Sequence, residues 1–201
     1  MSPTDALDAV ALRAALGAQL IGRHLVVLAE TTSTNDVIAQ MAADEAEGLV
    51  VIAEKQKTGR GQYGRRWESA PGKGLWLSVL LRPKIALADS ARLTEFLAAA
   101  IAATIKETVG VEAIIKPPND VYLGSRKVAG VLVEMRVETG GGYCAIAGLG
   151  LNVNHAPDDF PPELRETAGS LAAVAGHALD RFELAVALLR RLDQGYAAFR
   201  G

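Results

Sequence analysis

The sequence predicts an α+β domain, a mixed and mainly antiparallel sheet flanked by helices, from three observations. Short apolar runs separated by turns fill the middle of the chain, so successive strands are expected to pair as antiparallel neighbours. Helical periodicity brackets those runs on both sides, without a strict strand-helix-strand repeat. Half of the 201 residues are hydrophobic, enough to bury a continuous core, so one domain over residues 1–201 is the expectation.

Taken in order, residues 6–20 are rich in Ala and Leu and predict a helix, followed by a buried strand at Leu25-Val26-Val27-Leu28-Ala29. Thr31-Thr32-Ser33-Thr34 then precede a helical pattern of Val37, Ile38, Met41 and Ala42. Ser33, with Asp36 three residues later, has the form of a capping box. A second strand at Leu49 to Ala53 runs into a long loop rich in Gly and Arg. The alternation of Leu75, Leu77, Val79 and Leu81 predicts a third strand, which Pro83 stops. Residues 89–109 place Leu93, Phe96, Leu97, Ala100, Ile101 and Ile105 on one side of a helix. Four strands are expected next: Ile114-Ile115-Lys116, Val121-Tyr122-Leu123, Val128 to Val137 and Tyr143 to Val153. Their turns are Pro117-Pro118-Asn119-Asp120, Gly124-Ser125 and Gly140-Gly141-Gly142. After a Pro-rich loop at 157–162, Phe182, Ala185, Leu189, Leu192, Tyr196 and Phe199 form the stripe of a closing helix.

Lysine and arginine number 21 against 23 acidic residues, so the net charge of −2 gives no global attraction to nucleic acid or anionic membranes. The single cysteine, Cys144, cannot form an internal disulfide and sits in an apolar setting that reads as buried. The N-terminus lacks a signal-like pattern and no apolar run is long enough to span a bilayer. A soluble, cytoplasmic protein is therefore expected, with no membrane partner. His24, His155 and His177 lack metal-ligand spacing, so no protein metal site and no catalytic triad are expected.

The most informative segment is Gln56-Lys57-Thr58-Gly59-Arg60-Gly61-Gln62-Tyr63-Gly64-Arg65-Arg66-Trp67. Lys55, Lys57, Arg60, Arg65 and Arg66 bring five positive charges into twelve residues, and the glycines let backbone amides approach an anion. This is the composition of a phosphate or carboxylate cradle, although a solvated basic loop has the same composition. Gly59, Gly61 and Gly64 match the G-x-G-x-x-G pattern, but Trp67 to Lys73 contains Ser, Pro and Gly and cannot begin the helix that a dinucleotide fold requires. Gly72-Lys73-Gly74 likewise lacks the Ser or Thr of a Walker A loop. Two further features stand out: Lys116 at a strand end before two prolines, and Gly148-Leu149-Gly150-Leu151-Asn152, whose glycines permit close approach of a ligand or a neighbouring element.

Ser33-Thr34-Asn35, the Gln56 to Trp67 loop, Lys116 to Asp120 with Lys127 to Glu134, and Gly148 to Asn152, in this order, together resemble the biotin protein ligase family. The resemblance covers residues 25 to about 155 and implies a catalytic fold related to class II aminoacyl-tRNA synthetases. It also implies a two-step reaction. Biotin is activated by ATP and Mg²⁺ as biotinyl-adenylate, and the biotinyl group is then passed to a lysine of a biotin carboxyl carrier protein. Matched residue by residue, the resemblance makes Lys116 and Arg60 catalytic. It places Ser33, Thr34, Asn35, Gln56, Gly59, Arg60, Gly61, Gln62 and Lys116 around biotin. Arg60, Arg65, Trp67, Asn119, Lys127 and Asn152 would contact the nucleotide.

The sequence departs from the family pattern in places. Gln62 stands where many members have arginine, and Pro117 replaces the usual tryptophan. No N-terminal DNA-binding domain and no small C-terminal β-domain are expected, and hence no DNA partner. A homodimer through a sheet edge is open, as in relatives. A lipoate or octanoate ligase or transferase of the same fold, and a non-catalytic biotin-binding module, remain as alternative readings.

Overall fold

The computed structural model describes residues 7–138 and 141–200. Its strands are β1 (Leu25–Leu28), β2 (Val50–Ala53), β3 (Gly74–Leu81), β4 (Ile114–Lys116), β5 (Asp120–Leu123), β6 (Arg126–Val137) and β7 (Tyr143–Asn152). They form a seven-stranded sheet in the order β1-β2-β3-β7-β6-β5-β4. Its one parallel pair is β1 with β2; the others are antiparallel. The parallel pair follows from the helix α2 (Thr34–Met41), which crosses between the two strands, whereas the hairpins from β4 to β7 need only turns.

Strand β3 is buried along its whole length, because both faces of the sheet are covered there. Leu75, Leu77, Val79 and Leu81 face the main core, with α1 (Ala9–Leu16), α3 (Ser90–Val109) and α5 (Arg181–Tyr196) on that side. Leu80 faces the other way, into a smaller cluster with Ile38 of α2, Val51 and Ile146. The alternation that identifies β3 thus reports only one of its two buried faces. At the N-terminus of α5, Arg181 is fully buried, pairs with Glu54 at 2.7 Å and donates to the Gly74 carbonyl at 3.3 Å, tying the helix to the ends of β2 and β3.

Several sequence expectations need correction. The first helix is Ala9–Leu16 rather than 6–20, because Asp8 caps its start and Gly17, at φ 72°, ends it; Ala6 lies outside the described residues. Ser33 heads α2 in extended conformation but makes no side-chain capping bond, and Asp36 turns instead to Arg60. The free Thr34 amide is taken by Gln56 Oε1 at 2.9 Å, a tertiary partner that replaces the local cap. The short helix α4 (Leu171–Ala175), capped by Ser170, escapes the periodicity reading because five residues hold barely more than a turn. Of the expected Gly140-Gly141-Gly142 turn, Gly140 lies outside the described residues. No helix among the described residues is long and apolar enough to cross a membrane.

Trp67, Trp76, His155 and Phe160 form an aromatic row, with successive ring centroids 6.2, 5.7 and 4.7 Å apart. Burial lowers the His155 pKa to about 4. A histidine held neutral in the fold while the unfolded chain titrates near 6.5 stabilises fully above the unfolded value. That stability is lost as pH falls from 6.5 towards 4. Denaturant unfolding should therefore show about 2 kcal/mol of His155-dependent stability lost between pH 7 and pH 5. In His155→Phe the loss should be smaller by that amount, and an unchanged pH slope would contradict it.

Candidate functional site

On the α2 side of the sheet, two cavities meet. Ser33, Thr34, Asn35, Gln56, Arg60, Leu77, Leu132 and Leu149 are among the residues lining the first, and Gly61, Gln62, Trp67, Asn119 and Lys127 line both. The polar end of the first cavity is built by burial. Ser33, Thr34 and Asn35 are each 3 % exposed, and such groups need partners once out of water. Ser78 on β3, fully buried, lies 2.7 Å from the Thr34 hydroxyl and 2.6 Å from Asn35 Oδ1. Asn35 Nδ2 donates to Glu134 at 2.7 Å, and Gln56 Nε2 donates to Ser69 Oγ at 3.1 Å. Both amide side chains are thereby oriented, with Gln56 Oε1 turned to Thr34.

Glycines make the floor. A Cβ on Gly148 would lie 2.4 Å from Asn35 Oδ1, so α2 can approach the sheet only because none is there. On Gly150 it would lie 2.5 Å from the Trp67 indole, and on Gly130 3.0 Å from the same ring. Gly59 is required one layer further out, where a Cβ would meet the Trp67 carbonyl at 2.5 Å. Trp67 is thus laid across β6 and β7, and its buried indole N–H has no hydrogen-bond partner among the described residues.

Arg60 spans the first cavity's rim, pairing with Asp36 and, at 2.9 Å, with Glu134. Burial opposes its charge, but the bonds to Asp36 and Glu134 hold its pKa above the ordinary value. The guanidinium therefore stays charged and preorganised. The rest of the basic loop is divided. Lys55 and Lys57 both pair with exposed Glu30, at 2.8 and 2.7 Å, and Arg66 pairs with Glu68 at 2.9 Å. The five charges do not converge on one cradle, because acids pair with four of them, Arg60 included.

The second cavity, of about 530 Å³, is lined by Arg65, Arg66, Pro117, Pro118, Asp120, Tyr122, Asn152 and Phe160 beside the shared residues. Asn152 is held there by a bond from its Nδ2 to the Gly169 carbonyl at 3.0 Å, and Asn119 by one to the Val131 carbonyl at 3.1 Å. Lys127 Nζ pairs with Asp120 at 2.6 Å and lies 5.3 Å from the centre of the Trp67 ring. Lys116 lines neither cavity; its Nζ lies 3.7 Å from the centre of the ring of Tyr122, which lines the second.

The model of the biotin/lipoate A/B protein ligase family matches residues 27–152, well over half of the chain. The chain belongs to that family. Among its relatives, the bifunctional ligase/repressor BirA of Bacillus subtilis is 39 % identical over 85 % of this chain and 53 % of that protein. The biotin--[acetyl-CoA-carboxylase] ligase of Mycobacterium tuberculosis is 35 % identical over 87 % of this chain and 66 % of that protein. The chain therefore spans about half to two thirds of the length of these two relatives. A biotin protein ligase from Aquifex aeolicus, in complex with biotin and ATP, superposes with a TM-score of 0.78 at 30 % identity, covering 89 % of this chain and 72 % of that one.

Within this family fold, the residues expected at the site sort clearly. Ser33, Thr34, Asn35, Gln56, Arg60, Gly61 and Gln62 line the first cavity, and Arg65, Trp67, Asn119, Lys127 and Asn152 the second. Gly59 supports the loop from outside, and Lys116 stands apart. Sequence reasoning missed Ser78, Asp36 and Tyr122 as parts of the site, and it gave Glu134 no role. One signal was available: Ser78 is the sole polar residue of Leu75 to Leu81, a run otherwise suited to burial. The acid partners of Arg60, by contrast, come from separate elements.

Gly150→Ala should force the Trp67 ring out of its seat. The expected result is roughly 1–3 kcal/mol of destabilisation on denaturant unfolding, with a red shift of Trp67 fluorescence in a Trp76→Phe background. A blue or unmoved emission maximum would show that the indole does not depend on this glycine.

Proposed function

We propose that this chain activates biotin with ATP and transfers the biotinyl group to a lysine of a biotin carboxyl carrier protein. The observation that carries the reading is the joined pair of cavities: one with a buried hydrogen-bonding end and apolar walls, the other larger and bordered by arginines. Biotin's ureido ring needs both donors and acceptors once it leaves water, and Ser33, Thr34, Asn35 and Gln56 supply them. Leu132, on the α2 face of the sheet, suits its aliphatic tail over the backbone of Gly148 and Leu149. ATP, arriving as its Mg²⁺ complex, would lie in the second cavity against Trp67, Asn119, Asn152 and Arg65. The relatives' names and the Aquifex complex with biotin and ATP support the same assignment.

In the first step a biotin carboxylate oxygen bonds to the α-phosphorus, and the bond from that phosphorus to the oxygen bridging to the β-phosphate breaks, releasing pyrophosphate. The carrier amine then attacks the acyl carbon and AMP leaves. Bringing two anions together requires fixed positive charge near the reacting oxygens. Arg60 supplies it at the first cavity. Lys116 would supply it by swinging its flexible stem past Tyr122.

Pyrophosphate release from ATP should depend on biotin and Mg²⁺, and Arg60→Ala or Lys116→Ala should slow it about 100-fold or more. Release with lipoate or octanoate in place of biotin would move the assignment to the other acyl substrates. Biotin binding without release would reduce the chain to a binding module.

A further inference from the structure

Resting on the biotin-activation reading, we propose that Tyr122 is a positioning residue for Lys116, its ring holding the ammonium beside the second cavity until biotin and ATP draw it in. Lys116 Nζ lies 3.7 Å from the centre of that ring, and the ring itself lines the second cavity. Pro117, Pro118, Asn119 and Asp120, which follow Lys116 in the chain, line the same cavity. The ammonium is therefore kept off the cavity by the direction of its side chain and not by its place in the fold.

Strand register alone would give Lys116 a different partner. It lies directly opposite Asp120 across β4 and β5, the arrangement in which a cross-strand ion pair forms. Asp120 instead engages Lys127, at 2.6 Å. Lys127 in turn stands opposite Tyr122, because the register of β5 on β6 shifts between Val121 and Tyr122, an irregularity of the kind that re-aims side chains. The two lysines have thus exchanged neighbours: Lys127 takes the acid across from Lys116, and Lys116 takes the ring across from Lys127. Lys116, Asp120 and Tyr122 can meet because they project from one face of the β4–β5 pair, while Val121 points into the main core.

The exchange has a chemical consequence. Lys55, Lys57, Arg60 and Arg66 each face a carboxylate, whereas Lys116 faces a ring. An acid at Lys116 would occupy its N–H donors and repel the biotin carboxylate and the triphosphate as they approach. An aromatic face attracts the ammonium through its quadrupole and brings no net charge. Lys116 is exposed at the end of a three-residue edge strand, where its flexible stem would otherwise sample many directions. Holding the ammonium in one place reduces the entropy lost when the reacting groups assemble. Tyr122 makes and breaks no bond, and it is the ring face that acts rather than the phenol hydroxyl.

The alternatives are that Tyr122 only fills the edge of the sheet, or that it contacts the nucleotide directly. A double-mutant cycle of Tyr122→Leu and Lys116→Ala separates them, with Tyr122→Phe as the conservative variant. For each variant the melting temperature, the KM for ATP and the kcat of biotin-dependent pyrophosphate release are measured. Tyr122→Leu should lower kcat about tenfold, with the KM for ATP little changed, and Tyr122→Phe should restore the lost rate. In the Lys116→Ala background, Tyr122→Leu should lower kcat no further. An equal loss of kcat in both backgrounds, a Tyr122→Phe enzyme as slow as Tyr122→Leu, or a Tyr122→Leu enzyme at the wild-type rate would overturn the proposal. So would a KM for ATP raised alike in both backgrounds, which would make Tyr122 a nucleotide contact. If Tyr122→Leu does not fold, Tyr122→Thr, whose branched side chain suits a strand, takes its place in the cycle. A wild-type chain that releases no pyrophosphate with biotin would remove the activation reading and this proposal with it. An active wild type whose two losses are independent removes the proposal alone.

Discussion

The site depends on how closely α2 can lie against the sheet. Asn35 sits over Gly148 at a distance that no side chain on β7 would allow, and Ser78 of β3 reaches up between Thr34 and Asn35. This contact replaces hydrophobic packing with a buried polar knot in the middle of an otherwise apolar layer. Such a knot is stable only when its donors and acceptors are matched. Gln56 and Glu134 provide the remaining partners, from the loop after β2 and from β6. The same contact sets the position of the helix start and hence of Asp36, to which Arg60 is bound.

From that anchor the rest of the site follows by contact. Arg60, held between Asp36 and Glu134, draws the Gly-rich loop over the first cavity. The returning part of the loop lays Trp67 onto Gly130 and Gly150, and the indole becomes the wall that the two cavities share. Lys127 and Asp120 close the floor beside it. A chain of this kind separates two ligand chemistries, an acyl acid with a polar head and a nucleotide, and lets them meet at one point. Membership in the biotin/lipoate ligase family is consistent with such a division of space.

The candidate site was legible in proportion to how local its signals are. The Gly-rich loop, Ser33 to Asn35 and Gly148 to Asn152 are contiguous stretches with unusual composition, and they do converge. Ser33 and Asp36 were read as a local cap because their spacing allows it, yet both were claimed by the tertiary structure, Ser33 by burial and Asp36 by an arginine from the next loop. The basic loop gave a count of charges without their partners. Glu30, Asp36 and Glu134, from other parts of the chain, and Glu68, two residues beyond Arg66, take up four of those charges.

What the sequence by itself determined is the class of fold and the strand and helix inventory, because period-2 and period-3.6 patterns and turn residues act over a few neighbours. It also determined the family, since four motifs in order constrain far more than any one of them. Tertiary structure alone decided that β3 is covered on both faces, that Gly148 serves α2 while Gly150 serves Trp67, and that Lys127 rather than Lys116 stands between the cavities. Those outcomes depend on distances between residues tens of positions apart, and a pattern along the chain carries no measure of such distances.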